Sequence, residues 1–322
     1  MRWIIGVDIG GTNLVIGAVR EDGREVRGLV SEPTGSPDGP DAVIGRIITM
    51  AKSVIDTARR EDRTAEIIGV GIGSPGPLDR ARGVVIFTPN LRWKDMPVRD
   101  RIGEGLGLPA SLDNDANCAM LGEHWRGAAQ GADSAVCFTI GTGIGGGVIL
   151  GGQLVHGASD VAGEIGHITI EVNGRRCGCG NDGCLEAYAS GPAIARRAVE
   201  AIEAGAASSM VDRVHGQLDQ ITAQTVFEAV AAGDALAEEL VRDTARYLGV
   251  GIANLLNILN PEVVVVCGGV TKAGDHLFVP LRREVARRAF RPAVEACLIV
   301  PGALPGTAGV VGAAKAWLDQ HA

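Results

Sequence analysis

Outside the arginine-rich "RREVARRAFRP", which reads as a solvated helix face, no segment of this 322-residue chain gathers lysine and arginine densely; the formal net charge is −8 and the pI is near 5.3. That balance argues against a nucleic-acid or membrane-surface partner, because neutralising phosphates takes clustered cations. The N-terminal "MRWIIGVDIGG" holds neither the long apolar run of a signal peptide nor the ~20 apolar residues of a spanning helix, which points to a cytoplasmic protein. No C-x-x-C occurs, which disfavours a redox motif, and no G-x-x-x-x-G-K-[ST] occurs, which excludes a P-loop. Seven cysteines is an odd count, and Cys118, Cys137, Cys267 and Cys297 stand singly within apolar stretches. They read as buried thiols rather than disulfide partners.

What is abundant is glycine, 47 residues, concentrated in "DIGGT", "GVGIGSPG", "GTGIGGG", "CGCGNDG" and "CGG". Such clusters mark backbone that turns tightly or approaches a ligand closely. The hydrophobic fraction of 46% supports a sizeable core, and the length predicts roughly two domains of about 100–200 residues. Residues 3–30 read as three short strands in a meander, followed by a helix from Asp41 to Arg60 whose apolar positions recur at helical spacing. "AEIIGVGIGSPG" and "LPASLDND" are strands, and "ANCAMLGEHWRGAA" is a helix.

From Ala135 the pattern begins again. Setting "IGVDIGGTNLVIGAV" beside "VCFTIGTGIGGGVIL" places Asp8 beside Thr139 and Gly10 beside Gly141, which suggests an internal duplication. Helices are expected from Ser190-Gly-Pro192, from Thr222 and from Asp234 to Leu259, stopped by Asn260-Pro261. A strand "EVVVVCGGV" and a closing helix "TAGVVGAAKAWLDQ" complete the chain.

Two G-x-G-x-x-G matches, at Gly71 and Gly141, fail as dinucleotide fingerprints because no helix opens after either turn. A glycine hairpin offers another phosphate geometry: successive N–H groups converge on oxygens, a Thr hydroxyl donates and an Asp positions Mg2+. Asp8, Gly10, Gly11, Thr12 and Asn13 supply these groups, with a near-echo at 139–147. Asp113, Asn114 and Asp115 fall where a strand becomes a helix, where a carboxylate serves either as a general base or as an Asx cap. Asn90, Glu164 and Glu186 lie near turns, where single polar residues are usually solvated surface. His167, Cys177, Cys179 and Cys184 form the Cys3His set that suits tetrahedral Zn2+, and four protein ligands make the site structural.

In the order "DIGGTN", "GSPGP", "TPNL", "DNDAN", "GTGIGGG", "GEIGH", "CGCGNDGCLE" and "VVCGG", these motifs resemble those of the ROK family of sugar kinases and repressors, within the hexokinase and actin-like superfamily. The resemblance spans essentially the whole chain. It implies an α/β fold of two ribonuclease-H-like domains around a sugar and ATP cleft: residues 1–117 with 308–322 as the small domain, and 118–307 as the large domain carrying the zinc loop. It implies ATP, Mg2+ and structural Zn2+ as cofactors, with Asp8, Gly10, Gly11, Thr12, Asn13, Thr142, Gly143, Gly268 and Gly269 around the nucleotide. Asp8 would organise Mg2+ through its water shell.

Asp115 then resembles the base that deprotonates the sugar 6-hydroxyl, and Gly76, Asn90, Asn114, Glu164, His167 and Glu186 resemble the sugar contacts. His167 would use one ring nitrogen on zinc and the other on the sugar. Position 13 is Asn where many family members carry Lys, and position 113 is Asp where Glu is frequent. Glucose is the leading substrate, with mannose, fructose, allose, N-acetylglucosamine and N-acetylmannosamine as alternatives. A sugar-responsive regulator is the alternative of another class, but it would need a helix-turn-helix ahead of the hairpin that starts at Ile4. A homodimer or homotetramer would be typical of the family.

Overall fold

The computed structural model describes residues 1–88 and 90–321. Pro89 of the "TPNL" motif and Ala322 at the end of the expected 308–322 segment lie outside the described residues.

The meander forms as β1 (Arg2–Ile9), β2 (Asn13–Arg20) and β3 (Val26–Pro33), and helix α1 (Pro40–Glu61) follows it. Next come β4 (Glu66–Ser74), the short β5 (Leu78–Asp79), β6 (Val84–Thr88) and β7 (Trp93–Met96), helix α2 (Val98–Leu106), β8 (Ala110–Asn114) and helix α3 (Asp115–Arg126). The main sheet runs β3-β2-β1-β4-β8, with β1, β4 and β8 mutually parallel, and β5-β6-β7 form a small separate sheet. The sequence reading did not separate this small sheet or α2, whose segments are short.

Alternation along β1 explains why the sheet is covered on both faces. Trp3, Ile5, Val7 and Ile9 point into a core with Val43, Ile44, Ile47 and Val54 of α1. Ile4 points the other way, onto Val310, Ala314 and Trp317 of the C-terminal helix α11 (Ala308–His321). A central strand buried on both faces reads as a nearly continuous apolar run, which "WIIGVDI" does. Helices α3 and α11 also pack on one another, and a Cβ at Gly312 would lie 1.5 Å from the Cys118 carbonyl oxygen. Glycine at 312 is what lets the two helices approach this closely.

The second five-stranded sheet contains β9 (Ala135–Ile140), β10 (Ile144–Leu150), β11 (Gln153–Leu154), β12 (Val263–Gly268) and β13 (Leu298–Pro301), in the order β11-β10-β9-β12-β13. This repeats the first sheet's order, three strands consecutive in the chain and then two parallel ones, so the duplication suggested by one pair of hairpins extends to a whole sheet. The helices between are α4 (Glu186–Ala189), α5 (Gly191–Glu203), α6 (Met210–Arg213), α7 (Ala223–Ala231), α8 (Ala235–Leu259), α9 (Asp275–Arg288) and α10 (Arg291–Ala296).

Their ends follow local chemistry. Ser190 and Thr222 cap α5 and α7 through their hydroxyls, Asp234 accepts from Ala237 N at 2.9 Å to start α8, and Asn260 closes α8 in the left-handed conformation. Cys118, Cys137, Cys267 and Cys297 are thiols, the first two buried and the last two half-buried, and β9 and β12 bring the Cys137 and Cys267 sulfurs to 3.7 Å.

By internal contacts the chain divides into two units. The first comprises Met1–Asp133, Gly147–Gly163 and the chain from Ala303 onward; the second comprises Ser134–Gly146 and Glu164–Gly302. All of α3 falls in the first unit, beyond the expected boundary at 117, because α3 packs on α11. Within that unit the buried Glu123 of α3 accepts backbone N–H groups of Ala128 at 2.7 Å, Ala303 at 3.0 Å and Leu304 at 2.9 Å. Three backbone donors thus satisfy the hydrogen-bonding capacity of this buried carboxylate.

Among the described residues, no helix is long and apolar enough to cross a membrane.

Candidate active site

In the first unit, the carboxyl ends of three parallel strands line up: Asp8 of β1 is level with Gly73 of β4, which is level with Asp113 of β8. Open α/β sheets bind ligands at this end of their strands. The turn after β1 closes with Gly10 N donating to Asn13 O at 2.9 Å, and Thr34 Oγ1 donates to Gly10 O at 2.7 Å. Asn90 lies beside this turn, its Nδ2 3.5 Å from where a Cβ on Gly11 would be. Gly76, in the left-handed region at φ 92°, carries the chain out of β4. The fold therefore gathers Asp8, Gly10, Gly11, Asn90 and the β8–α3 junction on one edge.

At that junction the structure shows which residue caps the helix. Asn114 is the cap: its Oδ1 accepts from Ala116 N at 2.9 Å and Asn117 N at 3.1 Å. Asp115 is the first helical residue, half-buried, with Oδ1 accepting from Ala116 N at 2.9 Å. The positive end of a helix favours an ionised carboxylate there. Burial, and then the charge of Asp115, push the Asp8 carboxyl up to about 7. Two carboxyls that oppose one another's ionisation in a desolvated site suit a divalent cation, so this edge fits Mg2+.

Asp113 ends the level row formed with Asp8 and Gly73. It is 1% exposed; Oδ1 accepts from Asn114 N at 2.8 Å and Asn117 Nδ2 at 3.1 Å, and Oδ2 lies 2.9 Å from His156 Nε2 and 3.1 Å from Arg80 Nε. Burial pushes its pKa up, but the His156 hydrogen bond and the charges of His156 and Arg80 outweigh that and hold the carboxyl below its ordinary value. Sequence reading missed Arg80 and His156, because each is a lone residue in a connecting segment with no motif around it.

In the second unit, β9 and β12 end side by side, with Ile140 level with Gly268. The Gly141–Gly143 turn and the Gly268–Gly269 turn leave these strand ends, and Gly191 N at the start of α5 donates to Gly141 O at 2.9 Å. Thr142 is exposed at the tip of the first turn. Glu186 joins this hairpin to the cysteine loop: Oε2 accepts from Ile144 N at 2.8 Å, and Oε1 is 3.7 Å from Cys177 Sγ. A Cβ at Gly143 would sit 2.5 Å from Glu186 Oε2, so a side chain there would push the carboxylate off Ile144 N.

The three cysteines and the histidine of the 167–184 segment come together in one cluster. The ligand atoms of His167, Cys177, Cys179 and Cys184 all lie within 4.8 Å of one another. His167 Nδ1 is 3.8 Å from Cys177 Sγ, and Cys179 Sγ is 3.6 Å from Cys184 Sγ. A tetrahedral zinc site with bonds of about 2.3 Å has edges of about 3.7 Å, so the donor set and spacing fit Zn2+. Burial pushes the Cys177 and Cys184 thiols up, Cys184 to about 12 with its sulfur neighbours adding. Cys179, though burial also pushes it up, is drawn below its ordinary value by hydrogen bonds from the Asn181 backbone and the adjacent thiols. His167 turns its other nitrogen outward, with Nε2 3.9 Å from Glu164 Oε2.

The duplicated sheets, each ending in a glycine hairpin, define the actin and hexokinase-like class of two-domain α/β proteins. The chain belongs to the ROK family, whose model matches residues 4–320. It is 39% identical to a glucokinase of Halalkalibacterium halodurans over 99% of this chain and 96% of that protein. It is 38% identical to a glucokinase of Thermotoga maritima over 97% of this chain and 96% of that one. Among solved structures it resembles a ROK family glucokinase from Streptomyces griseus in complex with glucose and AMPPNP. The TM-score is 0.85 at 36% identity, covering 97% of this chain and 98% of the other.

Proposed function

We propose that this chain transfers the γ-phosphoryl group of ATP to the 6-hydroxyl of glucose, giving glucose 6-phosphate. The observation that carries this reading is the end-to-end similarity to proteins named glucokinase, at 36–39% identity. A relative of known structure holds glucose and an ATP analogue together.

Asp115 is the base that accepts the hydroxyl proton. Its place in the first turn of α3 supports that role, since the helix end favours the ionised form at neutral pH. Asn114 spends its Oδ1 on the helix cap and offers its Nδ2 to the sugar. Gly76, Asn90, Glu164, His167 and Glu186 complete the sugar contacts. Glu164 and His167 are supported by their adjacency, and Glu186 by its fixed position beside the 141–144 hairpin. The hairpin at Gly10, Gly11, Thr12 and Asn13, the turn at Thr142 and Gly143, and the Gly268–Gly269 turn hold the nucleotide through backbone N–H groups.

Mg2+, held beside Asp8, supplies charge neutralisation on the phosphates when bound. Zn2+, held by His167, Cys177, Cys179 and Cys184, would fix the His167 tautomer with Nε2 toward the sugar and so orient groups without touching the reacting atoms. The same reading takes the protein as cytoplasmic and self-associating, as a homodimer or homotetramer. Exposed Phe290 and Ile258 in the second unit support self-association, and the acidic balance supports a small-molecule partner rather than nucleic acid.

The test is a coupled ADP-release assay with MgATP across glucose, mannose, fructose, allose, N-acetylglucosamine and N-acetylmannosamine. Glucose should lead in kcat/KM by about tenfold, or about 1.4 kcal/mol of differential transition-state binding. A different leading sugar would replace the substrate, and no turnover with any of them would remove the reading.

A further inference from the structure

Arg80 and His156 have no part in the reaction as described above, yet both converge on the segment that carries its base. Four side chains of the first unit close a ring. His156 Nε2 and Arg80 Nε meet Asp113 Oδ2 at 2.9 and 3.1 Å. Arg80 in turn meets Asp160, through its backbone N at 3.3 Å and its Nη1 at 3.7 Å. Asp160 belongs to the same loop as His156, which is pinned at its ends by Val155 N to Val148 O at 2.9 Å and Ala162 N to His156 O at 3.0 Å. The ring therefore runs from Asp113 through His156, along the 156–160 loop to Asp160, and back through Arg80.

Asp113 is the point where this ring touches the active-site edge. A carboxylate accepts but does not donate, so His156 carries its proton on Nε2 and donates it. The other oxygen of Asp113 accepts from Asn114 N and Asn117 Nδ2, the residues on either side of Asp115 and Ala116. A buried carboxylate with four partners is rigid, and removing one partner leaves charge uncompensated in a dry site. A solvated junction could reach the same cap through Asn114 alone. The extra ring fixes where the first turn of α3 begins, and hence where Asp115 points.

We propose that His156 and Arg80 are positioning residues for phosphoryl transfer: acting through Asp113, they lock the strand-to-helix junction that presents Asn114 and Asp115 to the sugar. The proposal rests on the reading of Asp115 as the base. The role is geometric, since a displacement of about 1 Å at a reacting group can cost about a hundredfold in rate.

The test compares His156→Leu, which cannot donate to Asp113, with His156→Gln, whose amide can. His156→Leu should lower kcat with glucose by about tenfold or more while KM for ATP stays within about twofold, and His156→Gln should restore most of kcat. Both variants are to be melted alongside the wild type, with rates expressed per folded protein. If His156→Leu keeps wild-type kcat, or if the two variants lose activity equally and only in step with lost folded protein, the positioning role is wrong. A wild-type protein that phosphorylates no sugar would overturn the active-site reading itself, which is a different result from an active wild type with unaffected variants.

Discussion

The β8–α3 junction and the 167–184 loop both hold polar side chains in place, but they do it by opposite means. At the junction, Asp113 is ionised and fully partnered by groups the chain itself supplies, Asn114, Asn117, His156 and Arg80. In the loop, three sulfurs and an imidazole crowd together with nothing of opposite charge among them, and Cys184 is pushed up to about 12. The first region is complete once the chain folds. The second fits a cation, whose charge would offset the reluctance of Cys177 and Cys184 to ionise. The two regions thus contrast a buried hydrogen-bond network with a donor set that fits an ion.

That contrast can be broken experimentally, and the largest effect is expected at the loop. Purified protein should contain about one zinc per chain, and Cys179→Ser should lose the metal and weaken glucose binding by about tenfold or more. Asp113 and its partners should be untouched, so kcat at saturating glucose should fall much less than affinity. Retained metal with unchanged affinity would show that the loop needs no ion.

A smaller effect, on stability, separates two carboxyls of the same sheet edge. Asp8 titrates near 7 in the fold and near 3.9 when unfolded, so the native state binds the extra proton between those values. Its contribution to stability is full below about 4 and is lost as pH rises through about 7. Without added magnesium or nucleotide, the melting temperature should therefore fall between about pH 4.5 and 7 more steeply in wild type than in Asp8→Asn. Asp113, held below its ordinary value, has the opposite sign: its contribution is present above the ordinary carboxylate range and disappears only in acid. Equal pH slopes in wild type and Asp8→Asn would remove the assignment for Asp8.

Much of this organisation is legible in the chain because it rests on local rules. The hairpin at 8–13 needs glycines at its turn, α8 needs Asp234 at one end and Asn260 at the other, and the cysteine cluster lies within one short loop. The pairing of β9 with β12, which sets Cys137 against Cys267, joins residues 130 apart, and no local pattern reports it. The same is true of Arg80 and His156. Each is an ordinary polar residue in a connecting segment, and only the burial of Asp113 reveals why both are there. The sequence left open which residue of 113–115 caps α3, and the geometry of the first helical turn gives that cap to Asn114.

The most direct test of the account is Asp115→Asn, measured for glucose binding by calorimetry and for phosphate transfer in a single turnover with MgATP. Glucose should bind within a few-fold of wild type, because the amide keeps the shape of the site, while transfer slows by about a hundredfold or more for want of a base. Transfer at close to the wild-type rate would contradict the account, since the proton of the 6-hydroxyl would then leave by another route.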